Sequence, residues 1–412
     1  MKRINPELCV RCKGYRLLCG LDKCPILEVA NYRLKSYLKI RSLDSVYGST
    51  PPSLIIGEYG YPKVRVLFNI PHEVYGLDAK WYDDPVNWWG RLDLEDIIRL
   101  RTELIATGLK LNVKDPWKLY EMEVSLASVS INPVDSEAKL AKKPIPKIKF
   151  NGVVKPVGLY ASAESIKVTS NPYVNPSLEK LIHDDVKASD AIVELYLNGL
   201  DIYTIINALS SGLLGRIRDR KLVPTRWAIT AVDSTLGNFF KNKVREFKPI
   251  DRVLVFRGEY LGNKFTVVLV PGLPEIEWIE AWHPSSLWVK NSNNIAYLRV
   301  YEDYRGSVSI MDGGYYAARL PVLEYLYKIK RSATVFIFRE ILPSYYAPVG
   351  NWHIRETIKH ILKSKPIEDD ILDRALIRGL KHMNIPVDYW IGRSMLLKDL
   401  KYRTTLDRYL KF

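Results

Sequence analysis

The chain has 412 residues, a net charge of +15 and no glutamine. This length allows two or three domains with a sizeable core, and the excess of Lys and Arg favours polyanions, nucleic acid first, as partners. No apolar run reaches the length of a membrane span, and the N-terminus lacks the apolar stretch of a signal peptide. The sequence therefore predicts a cytoplasmic protein without a membrane partner. The missing thermolabile amide, with abundant Lys, Arg and Glu, indicates a thermophile.

All the cysteines of the chain lie in one short segment, as Cys9, Cys12, Cys19 and Cys24. Two close pairs separated by a short Gly-containing loop can wrap a tetrahedral ion, and Zn²⁺ takes four thiolates in closed structural sites. Two disulfides are the alternative that a cytoplasmic setting disfavours, and an iron–sulfur cluster uses the same ligands. The spacing predicts a zinc finger with one structural Zn²⁺.

Behind the finger the pattern alternates between helical and extended segments. Helices are predicted over 26–43, 92–108, 176–215, 317–329 and 353–382, and the second of them is expected to close at Gly108. Strands are predicted over 54–56, 64–68, 120–131, 149–170, 252–271, 276–310 and 332–341. Because the strands are grouped, without strict βαβ alternation, the fold class is predicted to be α+β.

Two basic stretches could contact nucleic acid. The segment 212–237 places Arg226 beside Trp227, a pair that suits phosphate pairing together with base stacking. A loop within 138–150 adds Lys142 and Lys143. More positive charge lies just upstream of the Arg–Trp pair, at Arg216, Arg218, Arg220 and Lys221. The alternative is a solvated charge run before a buried Trp.

Four scattered residues are candidates for chemistry: Asp233, His283, Asp312 and Arg319. His283 lies close to Ser285 in sequence, but such spacing does not establish a catalytic geometry. Asp312 precedes a Gly-Gly pair that could present backbone N–H groups to a phosphate or form a tight turn. Convergence of the four side chains in one pocket would favour an enzyme, and their dispersal would favour a binding protein.

Several stretches, in this order, resemble the archaeal Nre family. They include the cysteine segment, "GSTPPSLIIGEYGYPKVRV", "GLLGRIRDRKLVPTRWAITAVDSTLG", "WHPSSLW", "DGGYYAARLPVLEYL" and "APVGNWHIRE". The resemblance implies a DNA-repair factor that binds DNA and is recruited by the sliding clamp, the archaeal homologue of PCNA. Two alternatives stay open: a nucleic-acid-processing enzyme, such as a nuclease or a damage-removing hydrolase, with a site in the 226–319 region, and a pure interaction scaffold.

The end of the chain carries an apolar stripe with helical spacing. Leu406, Tyr409 and Leu410 would share one face of a single helical turn. The clamp-binding pattern of the family, Gln-x-x-aliphatic-x-x-aromatic-aromatic, places Arg403 at the Gln position, with Leu406, Tyr409 and Leu410 following. Arg replaces Gln and Leu replaces an aromatic residue. A tail docked on its own body is the alternative.

The resemblance also divides the chain into regions. A zinc finger is expected over 1–28, an Nre N-terminal region over 29–275, an Nre C-terminal region over 276–397 and a clamp-binding tail over 398–412. The expected protein is thus a mixed α+β body with an N-terminal four-cysteine finger and a short C-terminal peptide motif.

Overall fold

The computed structural model describes residues 6–18, 23–144, 157–284, 286, 289 and 294–402, and the chain forms two compact units. The first comprises Met1–Phe239 and Tyr346–Trp352, and the second comprises Phe240–Tyr345 and His353–Phe412. The structural division falls inside a helix, whereas the regions expected from the resemblance divide at residue 275.

The first unit is built on a six-stranded sheet. Its strands are β1 (Ser45–Thr50), β2 (Ile55–Ile56), β3 (Lys63–Ile70), β4 (Ile105–Asn112), β5 (Val134–Lys142) and β6 (Leu159–Val168). Their order is β1-β5-β6-β4-β3-β2, and only the β4–β6 pair is parallel. In β3, Val64 and Val66 are buried whereas Lys63 and Arg65 are exposed. This period-two alternation gives the sheet an apolar face on the core and a charged face towards solvent.

Ten α-helices are described within residues 6–244, besides the 3-10 helices Gly76–Asp83 and Ile217–Asp219. They are α1 (Pro6–Cys12), α2 (Pro25–Ile40), α3 (Pro85–Trp88), α4 (Leu94–Glu103), α5 (Trp117–Glu121), α6 (Val124–Ala127), α7 (Pro176–Ile182), α8 (Ala188–Leu197), α9 (Ile202–Ser210) and α10 (Thr225–Val244). Side chains fix several of their starts, as when Asp201 accepts a hydrogen bond from the Thr204 N–H at 2.9 Å. Such an N-cap satisfies a backbone donor that the helix leaves unpaired.

Three expectations for the first unit meet different outcomes. The predicted helices over 176–215 are confirmed as α7, α8 and α9. The helix over 92–108 is wrong in its end, because α4 stops at Glu103 and Gly108 lies inside β4, paired with Leu67. The strand over 120–131 is also wrong. That segment forms α5 and α6, which are separated by Glu123 in the left-handed region at φ 56°, a conformation that interrupts an extended chain.

The second unit is built on a second six-stranded sheet. Its strands are β7 (Val253–Tyr260), β8 (Asn263–Val270), β9 (Ile276–Trp282), β10 (Ala296–Glu302), β11 (Thr334–Ile341) and β12 (Ile367–Asp369). Their order is β10-β9-β11-β8-β7-β12, with a single parallel pair, β9–β11. The strand predicted over 332–341 is confirmed as β11, which is buried along its whole length.

Five helices follow or flank these strands. They are α11 (Gly313–Lys328), α12 (Trp352–Ile361), α13 (Leu372–Leu380), α14 (Val387–Arg393) and α15 (Met395–Tyr402). The start expected for α11, Ala317, is wrong because the helix begins at Gly313. The Asp312 carboxylate accepts from the Tyr315 N–H at 2.8 Å and so caps the helix one turn earlier. The grouped strands and the mixture of helix and sheet agree with the α+β class.

The two faces of the second sheet differ in chemistry. One face packs an apolar core against α13, α14 and α15, in which Phe338 contacts Trp390 with ring centroids 5.7 Å apart. The opposite face carries buried charges, because Glu280 on β9 lies directly beside Arg339 on β11. Both faces are therefore covered, as expected for a sheet whose central strand is buried throughout.

The last helix that the structure describes, α15, is fixed to the second sheet by one carboxylate. Glu277, which is fully buried on β9, accepts hydrogen bonds from the N–H groups of Met395 and Leu396 at 3.0 and 3.3 Å and from the Ser394 hydroxyl. Arg299 lies 3.3 Å away on the neighbouring strand. A carboxylate at this position satisfies unpaired helix donors and is favoured by the helix dipole.

Among the helices that the structure describes, none combines the length and the apolar character that crossing a membrane requires.

Candidate nucleic-acid interface

The fold joins the start of α10 to the β2–β3 hairpin, although the two are far apart in sequence. The Thr225 hydroxyl accepts from the Ile56 N–H at 2.8 Å and donates to the Leu54 carbonyl at 3.3 Å. Ser210 on α9 adds a third contact, at 3.1 Å from the same hydroxyl. Thr225 thus fixes where α10 begins, and the two residues that follow it lie beside the hairpin turn.

An aromatic pair projects from this junction. The ring centroids of Trp227 and Tyr61 are 5.9 Å apart, with the ring planes tilted by 37°. Trp227 is 48% exposed, Tyr61 is 53% exposed, and Tyr59 on the same turn is 86% exposed. Three neighbouring aromatic side chains with this much exposed area are unusual, since aromatic side chains generally bury most of their area in a core. We call Tyr59, Tyr61, Arg226 and Trp227 the aromatic-basic patch.

Arg226 supplies the positive charge of the aromatic-basic patch. Its side chain is 83% exposed, and its guanidinium lies 3.5 Å from the Glu58 carboxylate. An ion pair exposed to this degree contributes little to stability. The guanidinium can therefore exchange Glu58 for a phosphate, to which it can donate two parallel hydrogen bonds.

The charged face of the first sheet extends from the same hairpin. Arg65 on β3 lies directly opposite Lys110 on β4, and its guanidinium is 5.3 Å from the ring centroid of Tyr160 on β6. The ring of Tyr160 lies across Gly108, where a Cβ atom would be 2.5 Å from the nearest ring atom. Glycine at this strand position is what allows the aromatic ring to lie flat against the sheet.

The lysines predicted to bind nucleic acid lie at the end of β5. Lys142 and Lys143 are both exposed, and Lys142 is in register with Ser162 on β6. Lys143 is 3.8 Å from Asp44, a loose pair on the surface. Lys139 of the same basic stretch lies inside β5, 3.1 Å from the Glu164 carboxylate, and Lys147 and Lys149 lie outside the described residues.

The basic run upstream of α10 divides into surface and structural residues. Arg218 and Lys221 are exposed and Arg216 is half-buried. Arg220 is buried, and its guanidinium donates to four backbone carbonyls, those of Leu181, Ile182, Asp184 and Gly215, at 2.6 to 3.3 Å. Arg220 therefore holds a loop together, and its buried guanidinium is not presented to a phosphate.

Three of the four expected zinc ligands fall within the described residues. Cys12 ends α1, and the turn that follows takes Lys13 and Gly14 to φ 48° and 88°. A Cβ atom on Gly14 would lie 3.3 Å from the Cys24 sulfur, so Cys24 borders the Cys12 turn. Burial would raise the pKa of the Cys12 thiol, but backbone hydrogen bonds from Leu18, Gly14, Arg16 and Leu17 lower it overall.

The fourth expected ligand, Cys19, lies outside the described residues. Among the residues that are described, no three His, Cys, Asp or Glu side chains are grouped closely enough to hold a metal ion. The donor set nevertheless suits Zn²⁺, which prefers thiolates supplied by two cysteine pairs at such spacings.

The four candidate catalytic residues have separate surroundings. Asp233 is buried on α10 and belongs to the first unit. In the second unit, His283 Nε2 lies 2.6 Å from Glu340 and Arg319 lies 2.7 Å from Glu302, while Asp312 caps α11. Each of these three side chains thus contacts a partner of its own.

A buried polar centre that sequence reasoning missed surrounds Arg339. Its guanidinium lies 3.1 Å from Glu280, 2.7 Å from the Asn263 side-chain oxygen and 3.0 Å from His353 Nε2. Burial raises the pKa of Glu280, although Arg339 opposes this effect. His353 belongs to the "APVGNWHIRE" stretch, but Glu280 and Arg339 lie in apolar strands where nothing singled them out.

The members of the interface that sequence reasoning missed lie in the β2–β3 turn and on neighbouring strands. Tyr59 and Tyr61 lie in "GEYGYP", where the structure forms the turn between β2 and β3. Arg65 and Lys110 follow the alternation of exposed residues in β3 and β4. Pairing those strands was the step that the sequence did not supply.

Two family descriptions match the chain, one after the other. The description "Archaeal Nre, N-terminal" matches residues 18–289, and "Archaeal Nre, C-terminal" matches residues 300–409. The chain is 40% identical to the DNA repair protein NreA of Archaeoglobus fulgidus over 89% of this chain and 92% of that protein. It is 35% identical to the DNA repair protein NreB of the same organism over 96% of this chain and 98% of that protein.

A third relative comes from a different archaeon. The DNA repair protein NreA of Haloferax volcanii is 36% identical over 81% of this chain and 82% of its own length. No solved structure matches the chain.

Proposed function

The chain belongs to the archaeal Nre family, and from this premise we propose that it is a DNA-repair factor that binds DNA and is recruited by the sliding clamp. The relatives named DNA repair protein support the repair role. The observation that carries the DNA-binding part is the aromatic-basic patch, where an exposed arginine adjoins exposed aromatic rings.

The charge of the chain supports binding to the DNA backbone. The net charge is +15, and the exposed face of the first sheet carries Lys63, Arg65 and Lys110. Binding that neutralises phosphates releases counterions, so its affinity falls steeply as salt increases. Phosphate contacts of this kind hold a protein on DNA without reading its sequence.

The clamp-binding part rests on the tail pattern of Arg403, Leu406, Tyr409 and Leu410, all outside the described residues. An apolar stripe at helical spacing suits a hydrophobic groove on a partner. The pattern begins directly after α15, which ends at Tyr402. The clamp would then hold the body near DNA and raise its effective concentration there.

We propose that Cys9, Cys12, Cys19 and Cys24 hold one Zn²⁺. All four ligands would come from the protein, so the ion would stabilise the finger and leave no open position for chemistry. Lys13, Arg16 and Lys23 lie on the same finger and can add phosphate contacts.

A binding factor accounts for the geometry better than the enzyme alternative does. Asp233 belongs to one unit, and His283, Asp312 and Arg319 in the other unit are each engaged by a separate structural partner. These structural roles support a binding factor over an enzyme.

The test is DNA binding by the full chain, measured by fluorescence anisotropy between about 50 and about 200 mM salt. We expect the dissociation constant to rise steeply across this range. Arg226→Ala should weaken binding more than Lys142→Ala does. Arg252→Ala is the control, because Arg252 is an exposed partner of Glu368 in the second unit. Absence of binding at low salt, or binding insensitive to salt, contradicts the proposal.

A further inference from the structure

We propose that Trp227 and Tyr61 form a base-stacking platform that makes the protein prefer single-stranded nucleic acid, with unpaired bases, to duplex. This inference rests on the proposed function and specifies the ligand of the same patch. Both rings are about half exposed, and their planes diverge by 37°. Each ring thus keeps area in contact with water that a planar base can cover.

The two rings are held from two different elements. Trp227 lies in the first turn of α10, where its N–H donates to the Pro224 carbonyl at 2.8 Å. Tyr61 lies in the hairpin turn, which is closed by the Lys63 N–H donating to the Gly60 carbonyl at 2.9 Å. The Thr225 hydroxyl joins the two elements, because it accepts a hydrogen bond from the Ile56 N–H at 2.8 Å. Because the support is bonded in place, binding a base needs little ordering of the protein.

The charge beside the rings selects a nucleic acid over an apolar peptide. Arg226 directly precedes Trp227, and Lys63 follows Tyr61 by two residues, both exposed. Glu58 is the acidic group that pairs with Arg226 there. A nucleotide places a planar base and an anionic phosphate a few ångströms apart, so the patch matches both parts at once.

The preference for unpaired bases follows from stacking. In a duplex both faces of each base are covered by neighbouring pairs, so an aromatic side chain cannot reach them without unstacking. Phosphate contacts are available to both forms, whereas the ring contacts are available only to a strand whose bases are exposed. Loss of a ring should therefore weaken single-strand binding and leave duplex binding almost unchanged.

The test compares an oligothymidine of about 16 nucleotides with a duplex of the same length and with an abasic strand of the same charge. Trp227→Ala should weaken oligothymidine binding about 5- to 150-fold, and Tyr61→Ala should act in the same direction. Trp227→Phe, which retains a ring, should recover most of the affinity. The abasic strand should bind the wild-type chain at least as weakly as oligothymidine binds Trp227→Ala, because it offers no base to either ring.

Tyr173→Ala is the matched control, because Tyr173 is another strongly exposed aromatic residue of the first unit. It should leave all three ligands unaffected, and thermal unfolding should be the same for all the variants. Equal weakening of single-strand and duplex binding by Trp227→Ala, or tight binding of the abasic strand, overturns the inference while DNA binding stands. No binding of any DNA overturns the proposed function as well.

Discussion

Arg319 on α11 lies 2.7 Å from the Glu302 carboxylate on β10, and both side chains are almost completely buried. The same carboxylate accepts from Lys241 at 3.0 Å and from the Tyr315 hydroxyl. One buried anion thus joins two helices to the edge of the second sheet. Replacing only one member of such a cluster leaves the other charges buried without compensation.

We expect Glu302→Gln to lower the free energy of unfolding by about 3–5 kcal/mol, because Arg319 and Lys241 would then be buried without their counter-ion. The measurement is denaturant unfolding of the full chain, in which the unfolding transition of the second unit is monitored. Glu368→Gln is the control: its ion pair with Arg252 is half exposed, and we expect a loss below about 1 kcal/mol. Similar losses for the two variants would contradict the role given to Glu302.

The buried lysine predicts a distinctive dependence of stability on pH. Burial lowers the pKa of Lys241 from its ordinary value of 10.5 to about 8, although Glu302 opposes this effect. Arg319 already neutralises Glu302, so Lys241 is the second cation on one carboxylate. Between these two pKa values the unfolded chain binds more protons than the folded chain. The contribution of Lys241 to stability therefore rises as pH increases from about 8 to about 10.5.

The comparison is with Lys241→Met, which removes the titrating group and keeps a similar volume. Below about pH 7 the difference in unfolding free energy between the two proteins should be constant. Above that pH, the unfolding free energy of the wild type should rise relative to that of Lys241→Met by an amount on the order of 3 kcal/mol. Because tyrosines titrate in both proteins, their contribution cancels in the difference. A difference that is flat up to pH about 10 would contradict the assignment.

Metal analysis tests the finger. We expect about one zinc ion and no iron per chain, because four thiolates at this spacing suit a closed tetrahedral site. Cys12→Ala and Cys19→Ala should each lose the metal and unfold the finger, while the cores of the two units unfold as in the wild type. Val10→Ala, an exposed change on the same segment, should retain zinc. Iron in the purified protein, or free thiols without metal, would exclude the zinc site.

Calorimetry with an archaeal sliding clamp tests the tail. A chain ending at Tyr402 keeps α15 complete and should lose binding. Leu406→Ala and Tyr409→Ala should each weaken it strongly, and Lys411→Ala, outside the pattern, should not. We expect a modest affinity for the full chain, because ordering a segment on binding costs about 2–5 kcal/mol. Equal binding by the full chain and the shortened chain would show that the tail is not the contact.

The sequence predicted elements well where one local signal dominated. β11 contains an apolar run rich in β-branched and aromatic residues, from Val335 to Phe338, and the α7–α9 segment carries helical periodicity between clear breaks. The segment around Val124 alternates as a strand would, yet the backbone turns at Glu123 and forms two short helices. Tertiary packing overrides the local preference for a strand there, and local propensity carries no information about that packing.

The candidate interface was predictable only in part for a related reason. Arg226 and Trp227 are adjacent in sequence, so their pairing of charge and ring could be read directly. Tyr61 reaches them through the contact between Ile56 and Thr225, which are separated by 169 positions. Arg220 looks like Arg218 and Lys221 in sequence, and its burial is explained by hydrogen bonds to the carbonyls of Gly215 and of the 181–184 segment.

If the tail binds the clamp as proposed, the anchoring of α15 by Glu277 limits how far the clamp can lie from the second unit. The helix is bonded to the sheet at its first turn and ends at Tyr402, and Leu406 follows four residues later. Even a fully extended chain spans no more than about 14 Å over that distance. A clamp that holds Leu406 would therefore keep the second unit within a short distance of itself, which restricts the orientation of that unit as well as its position. Inserting a flexible linker after Tyr402 would preserve clamp affinity but release that restriction, separating recruitment from alignment.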